Sequence, residues 1–307
     1  MAGQLVHAFP GQGDFSPSAL AAALPRVPGL RAAVREVFEA VDRAGAELGA
    51  VPLGPRLLGA APPSGAELAR ELPGTQQLAL YGAALAVHRV SPAPDALLAV
   101  SFGEIPALVA AGCLSVPDGA RLAGRLGALL QSAPGALTVL RCGPERAARL
   151  AAVAPEVVVA CVNDDQECVL AGPVTAITAA EQAARAAEVP VARLRLPFLA
   201  HHPALAGQSA EFEQYARTLR FTAPRLPVHS AVSGTTHTAA TDLPRALADC
   251  LVRPAILPPV ARAALRPRAT VLEAGTGRAL TDCLRRLLPG LRVRTPVAAA
   301  SRRQPQH

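Results

Sequence analysis

An apolar run that ends directly in a Ser-x-Gly turn is the feature that most limits how this chain can fold. Residues Ala96–Val100 form an apolar, strand-like run, and Ser101, Phe102 and Gly103 follow at once, before a helical pattern. A nucleophilic serine on a tight strand-to-helix turn needs small residues two positions before and two positions after it. Ala99 and Gly103 meet that requirement, although glycine is the usual residue at the first position. The pattern predicts a nucleophile elbow at Ser101, with an ordinary strand-to-helix turn as the alternative.

A second turn motif lies near the start of the sequence. Leu5–Phe9 is typical of a short buried strand, and the glycine-rich stretch 10–13 follows it directly. A backbone N–H from such a loop can complete an oxyanion hole together with the N–H that follows Ser101. The motif is not a dinucleotide-binding fingerprint, because Ser16 stands where that fingerprint requires its third glycine. A tight turn without chemistry is the alternative for this loop if it stands alone.

A serine nucleophile needs a base, and paired histidines offer one. His201 and His202 precede Pro203 in a chain with seven histidines in all. The alternative is a pair of surface histidines without a role. They follow the predicted subdomain described below, where the chain returns to the larger domain, and this position favours a role in the site.

Composition excludes two classes of protein. With 51% hydrophobic and 17% charged residues, the chain can bury a large core and is not a disordered protein. Aromatic residues make up 3%, which is too few for a protein that binds nucleic acid by stacking bases. The net charge is +7, and arginine supplies all 30 basic residues. This charge suggests an acidic partner, although a solvated basic surface is the more common explanation of such a charge.

The six cysteines are dispersed and show no CxxC pair or metal-ligand spacing. We therefore expect reduced thiols, no metal site and a cytoplasmic location. The first residues lack the pattern of a signal peptide, and the apolar runs are too short or too often interrupted to span a bilayer. We expect no membrane partner.

The pattern of residues changes between about positions 135 and 199. Strands and helices there follow the order β-α-β-β-α-β, which is typical of a ferredoxin-like unit. The predicted strands are Leu137–Arg141, Val157–Val162, Cys168–Ala171 and Val191–Leu196. We predict that residues 135–199 form a subdomain inserted into a larger domain made of residues 1–134 and 200–307.

Taken together, these segments resemble the malonyl-CoA:acyl-carrier-protein transacylase family, which includes the acyltransferase domains of polyketide synthases. The similar stretches occur in the family's order along nearly the whole chain. They are FPGQG at 9–13, TQQ at 75–77, AVSFGE at 99–104, CVNDDQECVLAG at 161–172, LRLPFLAHHPAL at 194–205 and LEAGTG at 272–277.

The resemblance implies an α/β fold in which a large α/β-hydrolase-like domain carries an inserted ferredoxin-like subdomain. It also implies a ping-pong reaction in which Ser101 attacks a thioester and forms an acyl-serine. The family's base corresponds to His201, with His202 as the alternate. The oxyanion donors correspond to the backbone N–H groups of Gln12 and Phe102. No third catalytic side chain is implied.

The resemblance also implies a set of substrate-binding positions, and two of them depart from the family. Gln76, Asn163 and Phe198 lie in matching motifs. Val100 replaces the family's histidine before the serine, and Leu126 stands where the family has the arginine that pairs with the malonyl carboxylate.

The nearest arginine to that position, Arg125, points about 100° away on a helix. Burying a carboxylate without an ion pair costs roughly several kcal/mol of free energy. We therefore expect Leu126 and Val100 to form part of an apolar pocket for an uncharged acyl group.

The expected function is transfer of a neutral, non-malonyl acyl group between a thioester donor and an acidic acyl carrier protein, in polyketide or related specialised metabolism. The substrates would be carried on coenzyme A or phosphopantetheine, with no bound cofactor and no nucleic acid. The alternatives are a thioester hydrolase of the same fold that clears carrier proteins, and a non-catalytic module that docks carrier proteins.

Overall fold

The larger of two sheets has six strands and forms the centre of the computed structural model, which describes residues 3–301. Its strand order is β11-β10-β1-β2-β7-β8, and all neighbouring pairs are parallel except β7 and β8. The strands of the protein are β1 (Leu5–Phe9), β2 (Ala96–Ala99), β3 (Ala136–Leu140), β4 (Val158–Asp164), β5 (Glu167–Gly172), β6 (Val191–Arg193), β7 (Val228–Ser230), β8 (Thr236–His237), β9 (Ala255–Ile256), β10 (Thr270–Glu273) and β11 (Arg292–Arg294).

Helices cover both faces of this sheet. They are α1 (Pro17–Ala23), α2 (Leu30–Glu47), α3 (Gly54–Leu58), α4 (Gly65–Leu68), α5 (Thr75–Arg89), α6 (Glu104–Ala110), α7 (Val116–Gln131), α8 (Pro144–Ala151), α9 (Val174–Ala186), α10 (Ala206–Ala216), α11 (Leu243–Val252), α12 (Leu257–Ala264), α13 (Ala279–Leu287) and α14 (Pro296–Ser301). Successive residues of β2 belong to different cores: Leu97 lies in the core that includes residues of α2, α5 and α7, whereas Leu98 lies in the core that includes residues of α12 and α13. Strands buried on both faces read as continuous apolar runs, which is why β1 and β2 were visible in the sequence.

The second sheet has five strands in the order β6-β3-β5-β4-β9. Its first four strands pair antiparallel, and together with α8 and α9 they give the β-α-β-β-α-β order and the mixed α/β fold predicted from the sequence. A separate core that includes Leu140, Leu170 and Ile177 lies between this sheet and its two helices.

Two details of the second sheet differ from the sequence prediction. The fifth strand, β9, comes from outside residues 135–199 and pairs parallel to β4. The last predicted strand ends at Arg193 instead of Leu196. The N–H of Leu194 still donates to the carbonyl of Leu137 (2.9 Å), and the chain then leaves the sheet before Pro197.

The register of the large sheet brings three loops together. Phe9 lies beside Ala99, and Ala8 lies beside Glu273, so β1, β2 and β10 end at the same edge. The carboxyl edge of a parallel sheet is where open α/β folds place their ligand sites. The loops after these three strands therefore converge at one place.

Within residues 3–301, we find no helix that combines the length and the apolar character needed to cross a membrane. The six cysteines are unpaired thiols, and five of them are buried.

The packing of α5 against α7 generates a prediction about stability. A Cβ at Gly127 would lie 2.6 Å from the Gly74 Cα and 2.5 Å from the Gln77 side-chain oxygen. We expect Gly127→Ala to lower the free energy of unfolding by about 1–3 kcal/mol, because the backbone must move to admit the methyl group. Gly207→Ala in α10 is the matched control, since nothing lies within 4 Å of its added Cβ. Denaturant unfolding of both variants measures the difference, and equal stability of the two would contradict the packing argument.

Candidate active site

Ser101 occupies a strained turn at the end of β2. Its φ is +56°, a left-handed conformation that costs a non-glycine residue on the order of 1–3 kcal/mol and that clusters at active sites. An added Cβ at Gly103 would lie 2.2 Å from the carbonyl oxygen of Phe9, so only glycine fits two residues after the serine. The turn has the steric character of a nucleophile elbow, with α6 beginning directly after it.

His201 meets Ser101 across the cleft. The Ser101 hydroxyl lies 2.7 Å from His201 Nε2, and His201 Nδ1 lies 2.6 Å from the carbonyl oxygen of Arg253. A carbonyl only accepts, so Nδ1 carries the proton and donates it to Arg253, which leaves Nε2 to accept from Ser101. His201 also has a positive φ, +53°. The base is therefore oriented by a main-chain carbonyl.

Burial sets the protonation of this base. The His201 ring is buried, and loss of solvent lowers its pKa below the usual value of 6.5, while the hydrogen bond to the Arg253 carbonyl acts in the opposite direction. His201 is accordingly neutral near pH 7, as a general base must be.

His202 is engaged elsewhere. Its Nε2 lies 2.9 Å from the carbonyl oxygen of Glu156, and its Nδ1 accepts the N–H of Ala204. Since a carbonyl only accepts, Nε2 is the donor. Both ring nitrogens of His202 are thus hydrogen-bonded to backbone groups, and neither is bonded to Ser101.

The loop after β1 lies against the serine. A Cβ built on Gly11 would come within 3.6 Å of the Ser101 Cβ. Gln12 and Phe102 each lie in the first turn of a short 3-10 helix, where N–H groups have no upstream helical acceptor. The Gln12 side-chain oxygen accepts a hydrogen bond from the amide of buried Gln77 (2.7 Å). The two N–H groups assigned to an oxyanion hole thus belong to neighbouring segments.

The third loop, which follows β10, supports the first. The Asp14 carboxylate accepts the backbone N–H groups of Arg278 (2.7 Å) and Ala279 (2.8 Å) at the start of α13. An added Cβ at Gly277 would overlap Asp14 at 2.0 Å, and one at Gly275 would lie 2.8 Å from Pro10. The glycines of the AGTG stretch therefore allow this close contact with the loop that carries Gln12.

A buried polar cluster fixes the residue that directly follows the elbow. Glu104, the residue after Gly103, is 2% exposed and accepts hydrogen bonds from the Ser230 hydroxyl and from His237 Nε2 (3.0 Å). Ser230 in turn accepts the N–H groups of residues 232 and 233. The cluster fastens the start of α6 to β7 and β8.

A cavity of about 190 Å³ extends from Ser101 and His201 to the second sheet. Its apolar wall comes largely from that sheet and from the segment after β6: Leu137, Val139, Val169, Leu194, Leu196 and Phe198. Among the described residues, the lining contains no arginine, and it contains the carboxylates of Asp14 and Glu167. The described lining is therefore largely apolar, with two carboxylates and no guanidinium group.

The structure brings some of the sequence-predicted binding residues to this cavity and not others. Val100, Asn163 and Phe198 line it together with Ser101. Gln76 lies in an adjoining surface groove, and Leu126 is buried in the main core outside the lining.

Arg125, the nearest arginine in sequence to position 126, does not line the cavity either. Its guanidinium forms an ion pair with Glu211 and lies 5.9 Å from the centre of the Tyr215 ring. It is directed towards the surface of α10.

Three features of the site escaped the sequence analysis. The Arg253 carbonyl is backbone and carries no sequence signal. Glu167 stands in the cavity wall, where Asn163 donates to it (2.8 Å). Gln77, which holds Gln12, could have been found through its place beside Gln76 in the TQQ stretch.

Asp164, Glu167 and Cys283 lie close enough together to form a small metal-ligand set. A guanidinium fills the role of a cation there instead. Arg286 pairs with Asp164 (2.5 Å) and Glu167 (3.1 Å), and burial raises the pKa of the Cys283 thiol well above its usual value. This cluster is an ion-pair network at the rim of the cavity.

Comparisons with known proteins agree with this geometry. A malonyl-CoA:acyl carrier protein transacylase from Xanthomonas oryzae superposes with a TM-score of 0.81 at 25% identity, covering 96% of this chain and 94% of that one. The acyltransferase domain of the second module of the salinomycin polyketide synthase gives a TM-score of 0.80 at 26% identity, covering 98% and 72%.

Among curated sequences, the polyketide synthase GfsA of Streptomyces halstedii is 31% identical over 166 residues, which is 52% of this chain but only 2% of that much longer protein. Residues 77–276, more than half of the chain, match the acyl transferase domain family. The fold of this chain is thus that of the solved transacylase and of the polyketide synthase acyltransferase domain. The chain belongs to the acyl transferase domain family of enzymes.

Proposed function

We propose that this enzyme forms an acyl-serine at Ser101 and transfers a neutral acyl group to or from an acyl carrier protein. The absence of any arginine from the described lining of the cavity is the observation that carries the acyl specificity. Coenzyme A or phosphopantetheine would carry the thioesters. The polyketide synthases among the relatives support a setting in polyketide or related specialised metabolism.

The acylation step follows from the hydrogen bonds of the site. His201 Nε2 takes the hydroxyl proton as Ser101 Oγ bonds to the thioester carbon, and the carbonyl oxygen becomes an oxyanion facing the N–H groups of Gln12 and Phe102. When the C–S bond breaks, the proton on His201 passes to the leaving thiolate. The acceptor thiol then repeats these steps in reverse, with its own proton passing through His201 to Ser101.

Cavity size and charge support a short neutral acyl chain. A cavity of about 150 Å³ with apolar walls accepts a molecule the size of benzene, and this one measures about 190 Å³. A malonyl carboxylate would meet the Glu167 carboxylate and leucine and valine side chains there. A carboxylate that is buried without an ion pair loses roughly several kcal/mol of binding free energy.

Intact-protein mass spectrometry tests the function directly. The enzyme is incubated with a panel of acyl-CoA and acyl-carrier thioesters, and the added mass names the acyl group. Its later fate separates transfer to a carrier thiol from release to water, which would indicate a thioester hydrolase. No mass gain in the wild-type enzyme, or the same gain in Ser101→Ala, would overturn the proposal.

The two histidines are expected to separate into a chemical and a structural role. His201→Ala should slow formation of the acyl-enzyme by about a thousandfold or more, as loss of a triad base does. His202→Ala is the matched control and should leave that rate within about tenfold while lowering stability by about 1–2 kcal/mol, because two backbone hydrogen bonds are lost. Mass spectrometry of samples quenched at successive times measures the acylation rate, and denaturant unfolding measures the stability. A slower acylation in His202→Ala than in His201→Ala would reverse the assignment.

Acylation should depend on pH through His201. Only the neutral imidazole accepts the Ser101 proton, so kcat/KM rises with pH and reaches a plateau once His201 is deprotonated. Because burial lowers its pKa, the midpoint of this rise should fall below pH 6.5. Measuring acyl-enzyme formation between pH 4.5 and 8.5 locates it. A midpoint above pH 6.5 would contradict the buried, neutral base.

Acyl selectivity should favour neutral groups. We expect acetyl or longer neutral thioesters to acylate Ser101 at least about a hundredfold more efficiently than malonyl-CoA, which corresponds to roughly 3 kcal/mol. Direct competition, read as acyl-enzyme masses, measures this ratio, and Arg125→Gln should not change it because Arg125 pairs with Glu211. Preferential malonylation, whether or not it survives that substitution, would refute the neutral-pocket assignment.

A further inference from the structure

Two surface grooves share walls with the acyl cavity, and their charges differ. The paired groove shares Gly13, Val139 and Ala279 with the cavity and contains Arg141, Arg278 and Arg286. The basic groove shares Gln12, Gly13, Leu194 and Leu196 with it and contains Arg70, Arg193 and Arg195. Either groove could lead a thioester to Ser101, so the charges decide between them.

The arginines of the paired groove are neutralised by carboxylates within or beside it. Arg278 pairs with Asp282 (2.6 Å), and Arg286 pairs with Asp164 and Glu167. Arg141 pairs with Glu167 as well. This groove offers little net positive charge to an approaching anion.

In the basic groove, only Arg193 of the three arginines has an ion pair within the described chain, with Glu181. Its described lining contains no aspartate or glutamate, and Arg70 and Arg195 are exposed without an ion pair to any residue between positions 3 and 301. The backbone N–H of Ser64, which Glu67 accepts (2.6 Å), and to a smaller extent Arg70 lower the pKa of Glu67, whose side chain does not line the groove. Two guanidinium groups therefore face solvent beside the mouth of the cavity.

Strand alternation explains how one segment serves both the cavity and the groove. Successive side chains of an extended segment point to opposite sides. Leu194 and Leu196 line the acyl cavity, whereas Arg193 and Arg195 are exposed and line only the groove. Arg193 is held by Glu181 (2.6 Å), which leaves Arg195 as the unpaired charge of this segment.

We propose that the basic groove docks the acidic surface of an acyl carrier protein, so that its phosphopantetheine enters past Gln12 and Gly13. This assignment rests on the proposed function. Unpaired surface charges attract a partner of opposite sign and speed its association, in a manner that salt weakens. Arginines that are already paired contribute little to such attraction, so Arg70 and Arg195 carry it.

The test compares a double variant, Arg70→Gln/Arg195→Gln, with Arg266→Gln. Arg266 is exposed, has no ion pair in the described chain, and precedes β10, at the sheet edge opposite the site. Three rates are measured by mass spectrometry: acylation of Ser101 by an acyl-N-acetylcysteamine thioester, acylation by acyl-CoA, and transfer from the acyl-enzyme to an acidic holo carrier protein of the polyketide type. Transfer is followed at low and at high salt.

We expect the double variant to transfer to the carrier about tenfold more slowly at low salt, with less salt dependence than the wild type. Acylation by both small thioesters should stay unchanged, which also shows that the variant is folded. Arg266→Gln should match the wild type in all three rates.

Several results would overturn the assignment. Equal transfer by the wild type and the double variant would remove the groove from docking while leaving the proposed function intact. A parallel loss with acyl-CoA would indicate a phosphate site, a loss with acyl-N-acetylcysteamine would place the arginines in the acyl site, and an equal loss in Arg266→Gln would indicate a general effect of charge. If the wild-type enzyme forms no acyl-serine, or its acyl-serine never reaches the carrier, the proposed function itself fails.

Discussion

The hydrogen bond between Ser101 and His201 is the contact on which the arrangement of the site depends. It joins residues 100 positions apart, and both adopt a left-handed backbone conformation, with φ of +56° and +53°. Such conformations persist only where surrounding structure holds them. Here the elbow is held by Phe9, Gly103 and the buried Glu104, and the histidine is held by the Arg253 carbonyl. The sheet register and the loops around the cleft thus converge on one 2.7 Å contact.

The sequence allowed the fold and the meeting of Ser101 with His201 to be predicted, because the strands and the elbow leave local patterns and the family resemblance singled out His201. Buried parallel strands are continuous apolar runs, and the elbow requires small residues around Ser101, as the contact of Gly103 with Phe9 shows. The order of strands and helices in the second sheet was likewise visible. By contrast, β9 has two residues and joins the second sheet from far along the chain, so no local signal marks it.

Side-chain direction could not be read from the sequence in the same way. A position matched to a family motif gives a place along a helix, whereas the packing of that helix decides what the side chain meets. Leu126 lies in the core, and the neighbouring Arg125 pairs with Glu211 instead of entering the cleft. Glu167 accepts a hydrogen bond from Asn163 of the same motif, and Gln77 donates one to Gln12 of another, and neither contact follows from position along the chain.

The two sheets contribute different residues to the cleft. Ser101, His201 and the Gln12 loop belong to the large sheet and its connections, whereas Leu137, Val139 and Val169 reach the cavity from the second sheet. The Ser101–His201 contact and the apolar wall therefore come from different elements, although Leu137 and Val169 pack in the same hydrophobic core as Phe9 and Ala99. A change of side chain in that wall alters the volume or polarity offered to the acyl group without touching the Ser101–His201 hydrogen bond. The side chains that would select the acyl group are therefore different from the side chains that would activate the serine, so one set can vary while the other is kept.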